Sequence, residues 1–187
     1  MTVTIRTAGA QDARALAAVA AETFALACPP HTTEEAKAHF IATMLSEAKF
    51  TEYLADDQRA LLIAEDVDPE DGGAVALGYT MVNFGEPTDA DVKSAIRIRP
   101  TSELSKCYVL AGHHGAGVAA GLMQASLDAA VQRGAEGIWL GVNEENSRAQ
   151  RFYAKHGFER VGSKQFLVGE RLEDDWVMER SLAPAEN

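Results

Sequence analysis

The sequence predicts an α/β (α+β) fold on three observations. Runs that alternate apolar and polar residues recur along the chain, helical runs with capping residues lie between them, and one apolar run breaks into glycines that open a further helix. At 187 residues the chain can bury one sizeable core. The expected organisation is one domain over residues 1–182 with a frayed tail at 183–187.

The elements follow in order. "TVTIRTA" alternates like an edge strand, and "AQDARALAAVAAETFALA" reads as a helix with Asp12 placed to cap it and Pro29–Pro30 to stop it. "TTEEAKAHFIATMLSEA" is a second helix, capped by Thr32 or Thr33, with Glu35 able to close a capping box. "KFTEYLADD" adds a short third. From Arg59 the period changes to two: "RALLIAE" and "AVALGYTMVNF" are strands joined through "DVDPEDGG", whose Asp, Pro and Gly residues suit a hairpin turn. The polar stretch from Gly85 to Ser102 carries Pro87 and Pro100 and no periodicity, so it is expected to be a mobile surface loop near the substrate. "ELSKCYVL" is the next strand, and "VAAGLMQASLDAAVQRG" is a helix ended by Gly134. "GIWLGV" is a buried strand, "NSRAQRFYAKHG" a short helix stopped by Gly157, and "FERVGSKQFLVG" with "DDWVMERSL" form a closing hairpin.

Composition excludes several classes. Lys plus Arg number 17 and Asp plus Glu 28, a net charge of −11 that repels nucleic-acid backbones and anionic lipid surfaces. Such acidity is compatible with a cationic substrate. No basic start followed by an apolar run opens the chain and no stretch is long enough to span a membrane, so a cytoplasmic protein without membrane contact is expected. Cys28 and Cys107 form no C-x-x-C pair, which suits a reducing compartment, and the five histidines show no metal-ligand spacing, so no metal is expected.

The most specific stretch is "YVLAGHHGAGVAAGLM", Tyr108 to Met123. A strand, a glycine turn and a helix start together make an anion site, because glycines expose backbone N–H groups and the helix N-terminus carries partial positive charge. Read from Gly115, the letters fit the dinucleotide pattern G-x-G-x-x-A; read from His114, they are one residue from the Q/R-x-x-G-x-G/A loop of acetyltransferases. The dinucleotide reading needs a second strand–helix half afterwards, and too little chain remains for one.

A second motif decides between them. "LGVNEENSRAQRFYAKHGFERVG" resembles the N-x-x-A-x-x-F-Y-x-K-x-G-F signature of the Gcn5-related N-acetyltransferase (GNAT) superfamily, and the element order resembles that superfamily along nearly the whole chain. The strand before the loop and the segment after "KHG" are similar to bacterial PaiA-type spermidine/spermine acetyltransferases. The resemblance implies a central twisted sheet of six to seven strands, mixed but mostly antiparallel, flanked by helices. It implies an acetyl-CoA-dependent N-acetyltransferase acting on a primary amine, with a polyamine-like small molecule as the leading acceptor, protein N-termini, lysine side chains or aminoglycosides as alternatives within the same chemistry, and a homodimer open to it.

The resemblance also assigns residues. Cys107, Tyr108 and Val109 at the strand end, His114, Gly115, Ala116, Gly117, Val118, Ala119 and Ala120 in the loop, and Asn146 and Tyr153 in the second motif would contact the coenzyme. His114 stands where the family has Gln or Arg and no basic residue lies between Lys106 and Arg133, so Arg148, Arg151 or Lys155 would supply charge to the phosphates. Asn146 can cap the following helix through its oxygen and still donate through its nitrogen. Tyr153 would return a proton to the departing thiolate, an uphill transfer of about 2 kcal/mol between groups of pKa near 10 and 8.5. The backbone N–H near Val109 would meet the oxygen that gains charge. An alkyl ammonium must lose its proton before attack, which costs roughly 4.6 kcal/mol at pH 7, and Glu103 is the family-matched base, acting directly or through water. Regular alternation would put Glu103, Ser105, Cys107 and Val109 on one face. Cys107 is then wall or core rather than a nucleophile. A coenzyme-binding sensor that transfers nothing remains the alternative from another class.

Overall fold

The computed structural model describes residues 2–183 except 69, 71, 114–116 and 169–170. The chain runs β1 (Thr2–Thr7), a 3-10 turn (Ala10–Asp12), α1 (Ala13–Ala27), α2 (Glu34–Met44), α3 (Glu47–Ala55), β2 (Arg59–Val67), β3 (Ala74–Phe84), α4 (Ala90–Ala95), β4 (Thr101–Val109), α5 (Val118–Gln132), β5 (Gly137–Asn143), α6 (Ser147–Lys155), β6 (Glu159–Val168) and β7 (Arg171–Ser181). The seven strands form one sheet in the order β1-β2-β3-β4-β5-β7-β6. Only β4 and β5 run parallel. The expected mixed, mostly antiparallel sheet is what the chain forms.

Helices cover both faces. α5 and α6 bury Met123, Leu127, Ala149 and Phe152 against Val82, Leu104, Leu140 and Met178 on one face, where Leu122 of α5 also packs on Leu62, Leu77 and Val109, while α1 and α3 bury Leu16, Phe24, Phe50 and Tyr53 against Ile63, Tyr79 and Met81 on the other. α4 continues the second layer, packing Val92 and Ile96 on Trp139 and Val177.

Two departures from regular pairing shape the middle of the sheet. β4 and β5 pair only at Thr101–Gly137, Ser102–Ile138 and Glu103–Trp139, and beyond that point they part. On the other side of β4, Val82 pairs with Leu104 but Met81 pairs with Lys106, leaving Ser105 as the extra residue of a β-bulge. The bulge reverses the alternation. Glu103 therefore shares a face with Lys106 and Tyr108, opposite Met81 and Tyr79, whereas Cys107 and Val109 turn to the α5 face. The expected common face for Glu103, Cys107 and Val109 is corrected by this one inserted residue.

Three smaller expectations are corrected as well. Asp12 does not cap α1 through its side chain; it accepts two bonds from the Arg6 guanidinium at 2.7 and 2.9 Å and one from Gly9 N–H at 2.7 Å. Thr33 caps α2 by accepting from Ala36 N–H at 3.1 Å, which puts Ala36 rather than Glu35 three residues inside and leaves the capping box unformed. The stretch from Gly85 to Ser102 is not a loose loop: it holds α4, capped by Asp89, and the buried Glu179 carboxylate accepts from the backbone of Arg97 and Ile98 at 2.9–3.1 Å. The tail beyond residue 183 and parts of the β2–β3 and β6–β7 turns lie outside the described residues.

Candidate active site

A cavity of about 990 Å³ occupies the gap where β4 and β5 part, and it opens on both faces of the sheet. On the α5 face it is walled by Cys107 and Val109, by Gly117, Ala119 and Ala120 at the start of α5, and by Asn146, Ala149 and Tyr153 of α6. On the opposite face Glu103, Lys106 and Tyr108 line it beneath α1, α2 and α3, whose Phe24, Phe40, Met44 and Tyr53 form the roof. β7 and β6 close the far side with Glu173, Asp175 and Lys164.

Local sequence explains the α5 end. Gly117 precedes the helix with φ +76°, a left-handed conformation that a residue with a Cβ adopts only under strain. The first-turn amides of any helix lack partners inside it, so this end presents free N–H donors to the cavity. Of the loop residues, His114, Gly115 and Ala116 lie outside the described residues, and Val118 is buried in the core between α5 and β2–β4. Arg148 and Lys155 of α6 line the same cavity. Arg151 does not line it.

Asn146 caps α6 as its position suggests, accepting from Ala149 N–H at 3.1 Å. Its amide nitrogen makes no hydrogen bond among the described residues. Tyr153 stands two turns further along α6, edge-on to Phe152 and Phe158, with its hydroxyl free of any hydrogen bond among the described residues. Burial, reinforced by Cys107 and Tyr108, holds its phenol well above the usual tyrosine range, so it stays protonated near neutrality. Burial alone pushes the Cys107 thiol up to about 12, which removes it as a nucleophile.

On the opposite face Glu103 accepts from the Asn83 amide at 2.7 Å, and Asn83 accepts in turn from Arg59 at 3.0 Å. Lys106 sits over the Tyr53 ring at 5.7 Å and makes no ion pair among the described residues. Burial lowers its ammonium to about 8, Glu103 opposing the shift and Arg59 adding to it. Asp175 is pushed up to about 6 by burial, Lys164 acting against the shift and Glu173 with it. Glu103 and Tyr153 thus reach one cavity from opposite faces of the sheet.

Sequence reasoning missed Asn83, Lys106, Lys164, Glu173 and Asp175. Only one signal was available for them: Glu173, Asp175, Val177 and Glu179 alternate along β7, which marks a strand face carrying carboxylates inward.

A family model described as acetyltransferase (GNAT) family matches residues 21–158. This chain belongs to that family. It is 48% identical over 171 residues to an uncharacterized N-acetyltransferase of Mycobacterium tuberculosis, covering 91% of this chain and 98% of that one, and a Mycobacterium bovis protein of the same description matches equally. The PaiA N-acetyltransferase of Thermoplasma acidophilum, solved with coenzyme A, shares the fold with a TM-score of 0.73 at 20% identity, over 97% of this chain and 99% of that one. Arabidopsis thaliana NAA60, solved with acetyl-CoA, does so with a TM-score of 0.73 at 14% identity, over 96% and 98%. As a GNAT family member this protein is an N-acetyltransferase that uses acetyl-CoA. Its cavity has room for that cosubstrate: the start of α5 and the cations Arg148 and Lys155 line it, and β4 and β5 part beside it. Among the described residues no cluster of side chains could hold a metal and no helix is long and apolar enough to cross a membrane.

Proposed function

We propose that this GNAT enzyme transfers the acetyl group to the primary amine of a small, polyamine-like acceptor, with Glu103 as base and Tyr153 as acid. The observation that carries this reading is the placement of those two side chains on opposite mouths of one slot. The coenzyme enters from the α5 face, where the amides at Gly117–Ala120, with those of the loop at His114–Ala116, hold its phosphates; Arg148 and Lys155 add charge, and Asn146 donates to its arm. Cys107, Tyr108 and Val109 wall the slot around the thioester, and a strand-end amide near Val109 meets the carbonyl oxygen.

The acceptor enters from the face of α1–α3. Glu103 takes its proton, directly or through water, and Asn83 keeps the carboxylate turned toward the cavity by donating to one oxygen. The positive charge of Lys106 nearby disfavours a second cation beside it, which shifts the acceptor toward the free amine that can attack. Tyr153 supplies a proton to the thiolate as it leaves, and its burial keeps that proton available.

Thiol release from acetyl-CoA with spermidine, spermine, an aminoglycoside and short peptides tests the reading, alongside calorimetry of coenzyme A binding. Turnover with the polyamines and silence with peptides is the expected result. Coenzyme binding with no turnover on any amine would leave a sensor and overturn the enzyme reading for this acceptor class.

A further inference from the structure

Asp175 is an anomaly in the cavity wall. It is 8% exposed, yet it makes no hydrogen bond and no ion pair among the described residues. Its neighbours differ from it in this. Glu173 is held by His31 at 2.8 Å and Arg171 at 3.3 Å, Glu179 by two backbone amides, and Glu103 by Asn83. A buried carboxylate without a partner costs far more than a paired one, so a protein retains it where something else completes it.

The direction of the side chain says where that completion comes from. Asn143–Asp175 and Gly141–Val177 are paired, so Asp175 lies on the same face as Glu103 and Lys106. Between β4 and β7 stands β5, and at the floor of the cavity β5 contributes Gly141. A Cβ on Gly141 would stand 3.3 Å from Asp175 Oδ2 and 2.6 Å from Lys164 Cε. The Lys164 ammonium is 3.4 Å from the same point, so the lysine stem lies across the bare backbone of Gly141 beside the carboxylate, and both side chains line the cavity. Lys164 is the nearest cation and its cross-strand neighbour, but it makes no ion pair with Asp175 and its ammonium lies 5.3 Å from the Phe166 ring centroid. Arg59 and Lys49 are engaged by Asp56 and Glu52, Lys106 lies on the far side of the gap, and Arg148 and Lys155 stand on the α6 side of the cavity.

We propose that Asp175 determines acceptor specificity by receiving a second cationic nitrogen of the acceptor, so that alkyl diamines and longer polyamines are preferred over monoamines. This rests on the amine-transfer reading above. One nitrogen stands by Glu103 and the thioester, the hydrocarbon passes over the Lys164 stem at Gly141 beneath the aromatic roof of Phe24 and Phe40, and the far ammonium makes a charge-assisted bond to Asp175. Aromatic and aliphatic walls suit the methylenes; the carboxylate suits the charge.

The test compares 1,4-diaminobutane and spermidine with butylamine on the wild type, on Asp175→Asn and on Asp174→Asn, whose exposed carboxylate serves as a charge-matched control. Two readouts are taken: kcat/KM for transfer, and calorimetry of each amine into protein saturated with coenzyme A. Asp175→Asn should lose about 10- to 100-fold for the diamine in both, as expected for removing one charged hydrogen bond. Butylamine, coenzyme A affinity and the Asp174→Asn protein should change less than about threefold. A diamine preference that survives in Asp175→Asn, or a wild type that handles butylamine or a short peptide as well as the diamine, overturns the proposal while leaving amine transfer standing. Asp175-dependent diamine binding without acetyl transfer supports the proposal and removes the transfer reading. If no amine binds or reacts, both fall.

Discussion

Asn83 donates its side-chain amide to Glu103 at 2.7 Å while accepting from Arg59 at 3.0 Å. The contact bridges β3 and β4 just below the bulge, and it fixes the carboxylate proposed as the base. Glu103→Gln keeps the shape and the Asn83 contact but cannot take a proton. Its kcat should fall about 100-fold or more at pH 7, with recovery as pH rises and the acceptor deprotonates unaided. An unchanged pH–rate profile would remove Glu103 from the chemistry.

Tyr153→Phe removes one oxygen from a half-buried ring and leaves its packing on Phe152 and Phe158 in place. Because burial holds the phenol above its usual range, the wild-type hydroxyl is protonated throughout pH 6–9. The variant should therefore be slower by a constant factor of about 10 to 100 across that range, with little change in KM for acetyl-CoA. Equal turnover by the two proteins would mean that the thiolate leaves without this acid.

Lys106 is half-buried and makes no ion pair among the described residues, and burial lowers its ammonium from 10.5 to about 8. The unfolded chain therefore binds more protons than the folded one between about pH 8 and 10.5, so this residue makes stability rise with pH over that window. Below pH 8 both states are protonated and the burial penalty is fully present. Lys106→Met should raise the melting temperature at pH 7, and its advantage should shrink as pH approaches 10.5. Thermal melts of both proteins at pH 7 and 9.5 check this; a constant difference would place the Lys106 ammonium in solvent.

Gly117 has φ +76°, and a Cβ there would meet no atom within 4 Å. The cost of Gly117→Ala is thus purely conformational, roughly 1–2 kcal/mol. Relief of that strain would turn the first amides of α5 away from the cavity. Calorimetry should show coenzyme A affinity lower by about 10-fold or more, with the acceptor's KM unchanged at saturating acetyl-CoA. Wild-type affinity would show that this turn does not present the donors.

Much of the fold was legible because its signals are local. The two-residue period of "RALLIAE", the capping residues Thr33 and Asn146, and the glycine that opens α5 each act within a few residues of chain. α4 was not legible, since a helix of six residues, Ala90–Ala95, has too few turns to show a period, and a carboxylate from the distant β7, Glu179, tethers the chain that follows it.

The sequence by itself determined the family, the order of elements, the glycine-opened helix and the two residues, Glu103 and Tyr153, that reach the slot. Tertiary structure alone decided which other side chains join them. Ser105 is an extra residue only relative to its partner strand, where Met81 and Val82 stand side by side. Nothing in "ELSKCYVL" marks it, because a bulge is a property of two strands in register and not of one strand's own alternation. That single residue turns Lys106 and Tyr108 toward Glu103 and Cys107 away. Asp175 joins them for a similar reason: β7 inserts between β5 and β6, and its pairing with β5 puts Asp175 in the cavity wall on the Glu103 face.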